Sequence, residues 1–225
     1  DMEALWGKIC EVCHEVANQA DDIRAVNLTT WGADGAPVRP DGSLAYPPIC
    51  WQDNRTEEII KHLDDYLPAW DFYATTGYQI IPFNTLLKLI WLREHEPQAL
   101  DGTQWLMMPG LLSFLLCGER SIERTAAGTM MAMDMAQGDW SAPLLKLAGL
   151  EPSFFPRWVL PGDVIGHLSA AAAMATGLPS GIPVVAAGHD TQFAAIGSGA
   201  QAGEAILSSG TWEIPRSLTT FSGSY

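Results

Sequence analysis

Hydrophobic and polar positions alternate along this chain with two periods. Between Glu3 and Ala20 the apolar residues Leu5, Ile9, Val12, Cys13, Val16 and Ala17 recur at helical spacing. Asp21-Asp22 ends that stripe, and Ile23 to Leu28 reads as a strand running into Thr29-Thr30-Trp31-Gly32-Ala33-Asp34-Gly35. Asp41-Gly42 predicts a hairpin turn between residues 36–38 and 44–46. Helices are expected over 56–67, with Glu57 and Glu58 in a first turn that suits the helix dipole, and over 84–94, closed by Glu96-Pro97. Shorter helices are expected at 109–116, 141–148 and 169–176. A buried strand at 182–187 leads into Gly188-His189-Asp190, a helix follows over 191–196, and a last strand covers 204–208. There is no internal repeat. Helices alternating with strands predict an α/β fold.

The composition narrows the function classes. In 225 residues, 48% are hydrophobic, which suits a packed core, while 21 Gly and 15 Pro imply many turns. This length fits one large domain, or one domain and a piece of another. Lys and Arg number 12 against 26 Asp and Glu, a net charge of −14. So acidic a surface repels a phosphate backbone and argues against a nucleic-acid partner. It leaves room for a nucleotide, because backbone N–H groups hold phosphates without basic side chains. The most apolar stretch, 105–117, is too short for a membrane span and carries Pro109 and Gly110. Asp1-Met2-Glu3 has no signal-peptide character, so a cytoplasmic location is expected. Cys10 and Cys13 form a lone C-x-x-C, without the second pair a zinc site needs. Met130, Met131, Met133 and Met135 read as core filler and no metal site is expected.

Three places carry candidate chemistry. Open α/β sheets bind ligands at the carboxyl ends of their strands. Asp34 follows one strand and His189-Asp190 another, so the two carboxylates either share a cleft or are ordinary turn aspartates. Ser208-Ser209-Gly210-Thr211 is either a phosphate-cradling turn or a plain one. Trp51-Gln52-Asp53-Asn54-Arg55 combines the ring, amide, carboxylate and guanidinium that sugars favour, and also reads as a helix start. No Walker A or Gly-x-Ser-x-Gly pattern is present.

Taken in order, Gly188-His189-Asp190-Thr191-Gln192-Phe193-Ala194 and Ser208-Ser209-Gly210-Thr211-Trp212-Glu213-Ile214 resemble the FGGY family of carbohydrate kinases. So do Thr30 to Asp34, Thr76-Gly77-Tyr78-Gln79, Pro82 to Leu86, 105–120 and 178–184, and the resemblance spans nearly the whole chain. It implies an incomplete actin-like, ribonuclease H-like sugar kinase N-terminal domain over 1–203. Residues 204–225 would then open the nucleotide domain. It implies ATP and Mg²⁺ as cofactors and a ketose such as L-fuculose or L-rhamnulose, phosphorylated at the 1-position. Asp190 would be the catalytic base. Gly32, Ala33, Asp34, Trp51, Asp53, Arg55, His189 and Gln192 would contact sugar. Ser209, Gly210 and Thr211 would hold phosphates. The family's Asp-x-Gly-Thr hairpin does not occur here, and the pattern departs after Ile214. The expectation is therefore a middle portion of a kinase, with a non-catalytic sugar-binding remnant as the alternative. Oligomeric state is not legible.

Overall fold

A computed structural model describes residues 1–209 and the backbone of 213–217. The helices are α1 (Met2–Ala17), α2 (Glu57–Lys61), α3 (Ala69–Thr76), α4 (Thr85–His95), α5 (Met108–Cys117), α6 (Arg124–Ala127), α7 (Ala142–Leu147), α8 (Ala170–Thr176) and α9 (Asp190–Gly197). The strands are β1 (Val26–Asn27), β2 (Gly35–Val38), β3 (Gln104–Met107), β4 (Ser121–Glu123), β5 (Met133–Asp134), β6 (Asp139–Trp140), β7 (Arg157–Val159), β8 (Val164–His167), β9 (Pro183–Val185), β10 (Ala205–Ser209) and β11 (Glu213–Ser217).

The sheets are small and mixed. β9 lies between parallel β1 and antiparallel β8. The other described strands pair two by two. β2 pairs along its length with β3 on one edge. On its other edge the expected turn at Asp41-Gly42 forms, and Val38 bridges Leu44 and Gly35 bridges Ile49 across it. The expected helix over 56–67 shortens to α2 followed by a 3₁₀ turn at Leu63–Asp65.

The main core surrounds α4. Leu86, Leu87, Leu89, Ile90 and Leu92 are all buried, so this helix is apolar on nearly every face and sits inside the domain. Trp105, Phe72 and Ile49 pack with it. α5 is buried along most of its length and approaches β4 closely. A Cβ at Gly110 would lie 2.8 Å from the Ser121 carbonyl oxygen, so only glycine allows that approach. A second cluster joins Trp6, Cys13 and Ala17 of α1 to Leu168, Ala172, Leu178 and Val184. That packing seats β9, and with it the segment that follows, against β1. Met130, Met131 and Met133 are buried as expected, whereas Met135 is exposed. Among the described residues no helix is long and apolar enough to cross a membrane.

Candidate active site

The parallel pairing of β1 with β9 matches Val26 to Val184 and Asn27 to Val185, and Thr30 bridges His189 further along. Both strands therefore deliver their carboxyl ends to one place. Three hydrogen bonds join those ends to each other and to a neighbouring helix. The Asp190 amide donates to the Thr30 carbonyl at 2.9 Å, and the Thr29 hydroxyl donates to the Gly188 carbonyl at 2.7 Å. The His189 amide donates to the Thr125 hydroxyl at 2.9 Å.

Asp190 opens α9, and its side chain is 49% exposed. Oδ1 accepts from the Thr191 hydroxyl at 3.2 Å and lies 3.2 Å from His189 Nδ1. His189 caps α9, its Nδ1 accepting the Thr191 amide at 3.2 Å. With neutral imidazole, Nδ1 is an acceptor toward that amide and cannot donate to Asp190 as well. The carboxylate is thus half exposed, with the Thr191 hydroxyl donating to it. The Gln192 side-chain oxygen is buried and has no hydrogen-bond partner among the described residues.

The opposing turn, Trp31 to Asp34, is tightly shaped. A Cβ at Gly32 would lie 2.6 Å from His189 Cδ2 and 2.6 Å from Thr129, so the imidazole packs directly on a glycine. Ala33 adopts φ +67°, uncommon outside glycine, and the Asp34 amide closes back on the Gly32 carbonyl at 2.9 Å. That three-residue turn is held from behind. The Ala33 carbonyl accepts from Thr85 Oγ1 and Lys88 Nζ, both at 2.9 Å.

Asp34 is only 3% exposed. Its Oδ1 is 2.9 Å from Lys88 Nζ, its Oδ2 accepts from Trp31 Nε1 at 2.7 Å, and the Trp51 amide also donates to it. Burial pushes the Asp34 carboxyl up and the Lys88 ammonium down from their ordinary ranges, against the pull of the pair. Lys88 also donates to the Ile49 carbonyl at 2.8 Å. The pair thus ties the Trp31–Asp34 turn to the 49–51 segment. Lys88 escaped the sequence reading, although a lone lysine inside Leu86-Leu87-Lys88-Leu89-Ile90 is itself a signal.

Trp51 is 37% exposed and meets Phe83 edge-on with centroids 6.4 Å apart. Asp53 and Arg55 engage one another through Nε (2.8 Å) and Nη2 (2.7 Å). Arg55 further donates to the Tyr46 hydroxyl, and its guanidinium lies 4.5 Å from the Trp91 ring centroid. Hydrogen bonds to Asp53, above all, push the Arg55 guanidinium up, and they hold the Asp53 carboxyl below its usual range. These two residues are paired with one another, and Arg55 packs on Tyr46 and Trp91. Ser209 ends β10 and is exposed; Gly210 and Thr211 lie outside the described residues. Among the described residues no three His, Cys, Asp or Glu side chains converge to hold a metal.

The chain is similar in sequence and in shape to known proteins. Residues 1–197 match the N-terminal domain of the FGGY family of carbohydrate kinases. The chain is 40% identical over 216 residues to L-fuculokinase of Escherichia coli (strain K12), covering 95% of this chain and 46% of that protein. It is 34% identical over 219 residues to rhamnulokinase of Klebsiella pneumoniae (strain 342), covering 95% and 43%. Xylulose kinase from Rhodospirillum rubrum superimposes with a TM-score of 0.83 at 27% identity, over 92% of this chain and 44% of that one. Glycerol kinase from Plasmodium falciparum does so at 0.83 with 20% identity, over 95% and 44%. The chain spans about half the length of the relatives it matches. Its fold is that of sugar-kinase N-terminal domains, and the chain belongs to the FGGY family of carbohydrate kinases.

Proposed function

We propose that this chain supplies the sugar-binding side and the catalytic base of an ATP-dependent ketose kinase. The observation that carries the reading is the direct join between the Asp190 amide and the Thr30 carbonyl. It places an open carboxylate beside a turn shaped by glycine and a left-handed alanine. The likeness to fuculokinase and rhamnulokinase favours L-fuculose or L-rhamnulose, phosphorylated at the 1-hydroxyl. The match over 1–197 supports a sugar-binding domain over 1–203, with 204–225 opening the nucleotide domain.

In this reading Asp190 accepts the proton of the sugar hydroxyl as that oxygen attacks the γ-phosphorus. The new O–P bond forms while the bond to the ADP oxygen breaks. In phosphoryl transfer of this kind positioning dominates, so its main contribution is orientation of the nucleophile. Gly32, Ala33, Trp51, His189 and Gln192 face the sugar. Asp34, through its buried pair with Lys88, shapes the turn from behind, and the paired Asp53 and Arg55 lie next in the chain to Trp51. ATP supplies the phosphoryl group, with Mg²⁺ held mainly by its phosphates, as is usual for that ion. Ser209, Gly210 and Thr211 are the residues proposed to meet those phosphates. A cytoplasmic site of action goes with sugar catabolism of this kind.

Calorimetric titration of the chain with L-fuculose, L-rhamnulose and Mg-ATP tests the reading. Saturable ketose heat that weakens in Gln192→Ala supports it. Ketose heat without ATP heat identifies a sugar-binding portion alone. No ketose heat from a folded chain refutes the sugar assignment. Where phosphoryl transfer is measurable, Asp190→Asn lowers kcat by about 10² or more, and unchanged turnover removes Asp190 as the base.

A further inference from the structure

Both turns of the site are held by one short segment that sequence reading passed over. Residues 124–127 form α6, and Gly128–Met130 continue it as a 3₁₀ turn. Thr125 and Thr129 are four residues apart and therefore share a face. The Thr125 hydroxyl accepts the His189 amide at 2.9 Å. The Thr129 hydroxyl accepts the Ala33 amide at 2.9 Å. One amide belongs to the loop of the base, the other to the opposing turn.

Each hydroxyl is committed to the acceptor role. Thr125 donates its own proton to buried Glu123 Oε2 at 2.5 Å. Thr129 donates its proton to the Ala126 carbonyl at 2.7 Å. With the protons so directed, lone pairs remain for the loop amides. Glu123 is itself fixed, accepting the Thr125 amide at 2.9 Å and the Ala126 amide at 3.2 Å. The two contacts also share a second feature. The residue before each held amide is a glycine packed on the same threonine. A Cβ at Gly32 would lie 2.6 Å from Thr129 Oγ1, and one at Gly188 would lie 2.3 Å from Thr125 Oγ1. Each loop is thus seated at two points on one threonine.

We propose that Thr125 and Thr129 are a positioning pair that sets the spacing between the base loop and the opposing turn. In its consequence for the sugar this rests on the kinase reading above. Reacting groups lose much of their advantage when displaced by about 1 Å, so a rigid gauge between the two loops has a direct use.

Valine replaces the hydroxyl by a methyl at nearly constant volume, and serine keeps the hydroxyl. The test combines amide hydrogen exchange at Ala33 and His189 with titration by L-fuculose and L-rhamnulose. Thr125→Val is expected to speed His189 exchange about tenfold and leave Ala33 alone, and Thr129→Val to do the reverse, from loss of one hydrogen bond each. Both valine variants weaken ketose binding, and Thr125→Ser and Thr129→Ser restore it. A uniform rise at both amides, or valine variants that bind ketose like the parent, overturns the proposal. If the parent chain binds no ketose, the kinase reading fails by itself. The crossed exchange pattern then upholds the pair and a uniform one overturns it. Should valine prevent folding, Thr125→Cys and Thr129→Cys keep a weak acceptor and give the same crossed pattern at smaller amplitude, and its absence counts against the pair.

Discussion

Replacing Lys88 by methionine removes a charge from the middle of the core while nearly conserving its volume. Lys88 is 0% exposed, and its ammonium donates to two carbonyls and to the Asp34 carboxylate. Without it Asp34 keeps the Trp31 and Trp51 N–H donors but loses its counter-charge. Breaking a buried pair from one side generally costs about 3–5 kcal/mol. The carboxylate can escape part of that by taking a proton. From an ordinary pKa near 3.9, neutralising it costs about 4 kcal/mol at pH 7 and about 1.5 kcal/mol at pH 5. The charge-dependent loss in Lys88→Met is therefore capped near 4 kcal/mol at neutral pH and shrinks on acidification. The sign follows from proton uptake. With a raised folded pKa, the folded state binds more protons than the unfolded one above about pH 4, so stability falls as pH rises. Against a typical domain stability of about 5–15 kcal/mol, the neutral-pH loss lowers the melting temperature by about 8–16 °C. Urea denaturation at pH 5 and pH 7 measures it. In Lys88→Met with Asp34→Asn no carboxyl remains at this site to titrate, and the pH dependence of the loss should vanish. A Lys88→Met loss below about 1 kcal/mol at pH 7, or one identical at both pH values, would refute the argument.

Two glycines should respond with opposite signs. Gly188→Ala brings a Cβ within 2.5 Å of Glu123 Oε2 as well as onto Thr125, and thermal melts should show a loss of about 1–3 kcal/mol. Gly7→Ala, in an open stretch of α1 with nothing within 4 Å, should gain about 0.5–1 kcal/mol, and a loss there would contradict the open packing. The Asp53 carboxyl is held low by Arg55, so its stabilisation is complete above the unfolded pKa near 4 and is lost as pH falls through the lower folded value. Asp53→Asn should flatten the acid side of a stability profile below about pH 5, and an unchanged profile would show that the pair contributes nothing there.

The elements that could be read from the chain are those whose periodicity is local. α1, α4, α5, α8 and α9 appear within a few residues of their expected bounds, because stripes, caps and terminal glycines act over one or two turns. The strands at 104–107, 121–123, 157–159 and 164–167 were not anticipated, nor was α3. Those strands are three or four residues long, too short for alternation to show, and each is defined by a partner distant in sequence. The hairpin after Val38 was legible because its turn chemistry is local, whereas β3, which takes the other edge of β2, comes from a distant segment.

By itself, the sequence determined the family, the residue types at the site and the order in which they occur, since Gly188-His189-Asp190 and Thr30 to Asp34 are contiguous segments with recognisable chemistry. Only the tertiary structure decided which groups each residue meets. It turned Asp34 inward onto Lys88, paired Asp53 with Arg55, left Asp190 open, and placed Thr125 and Thr129 beneath both loops. Groups 54, 64 and 96 positions apart are brought within hydrogen-bond reach there. The reason is physical: a role depends on what surrounds a polar group once water is removed, and that surrounding is assembled from segments that carry no mark of one another along the chain.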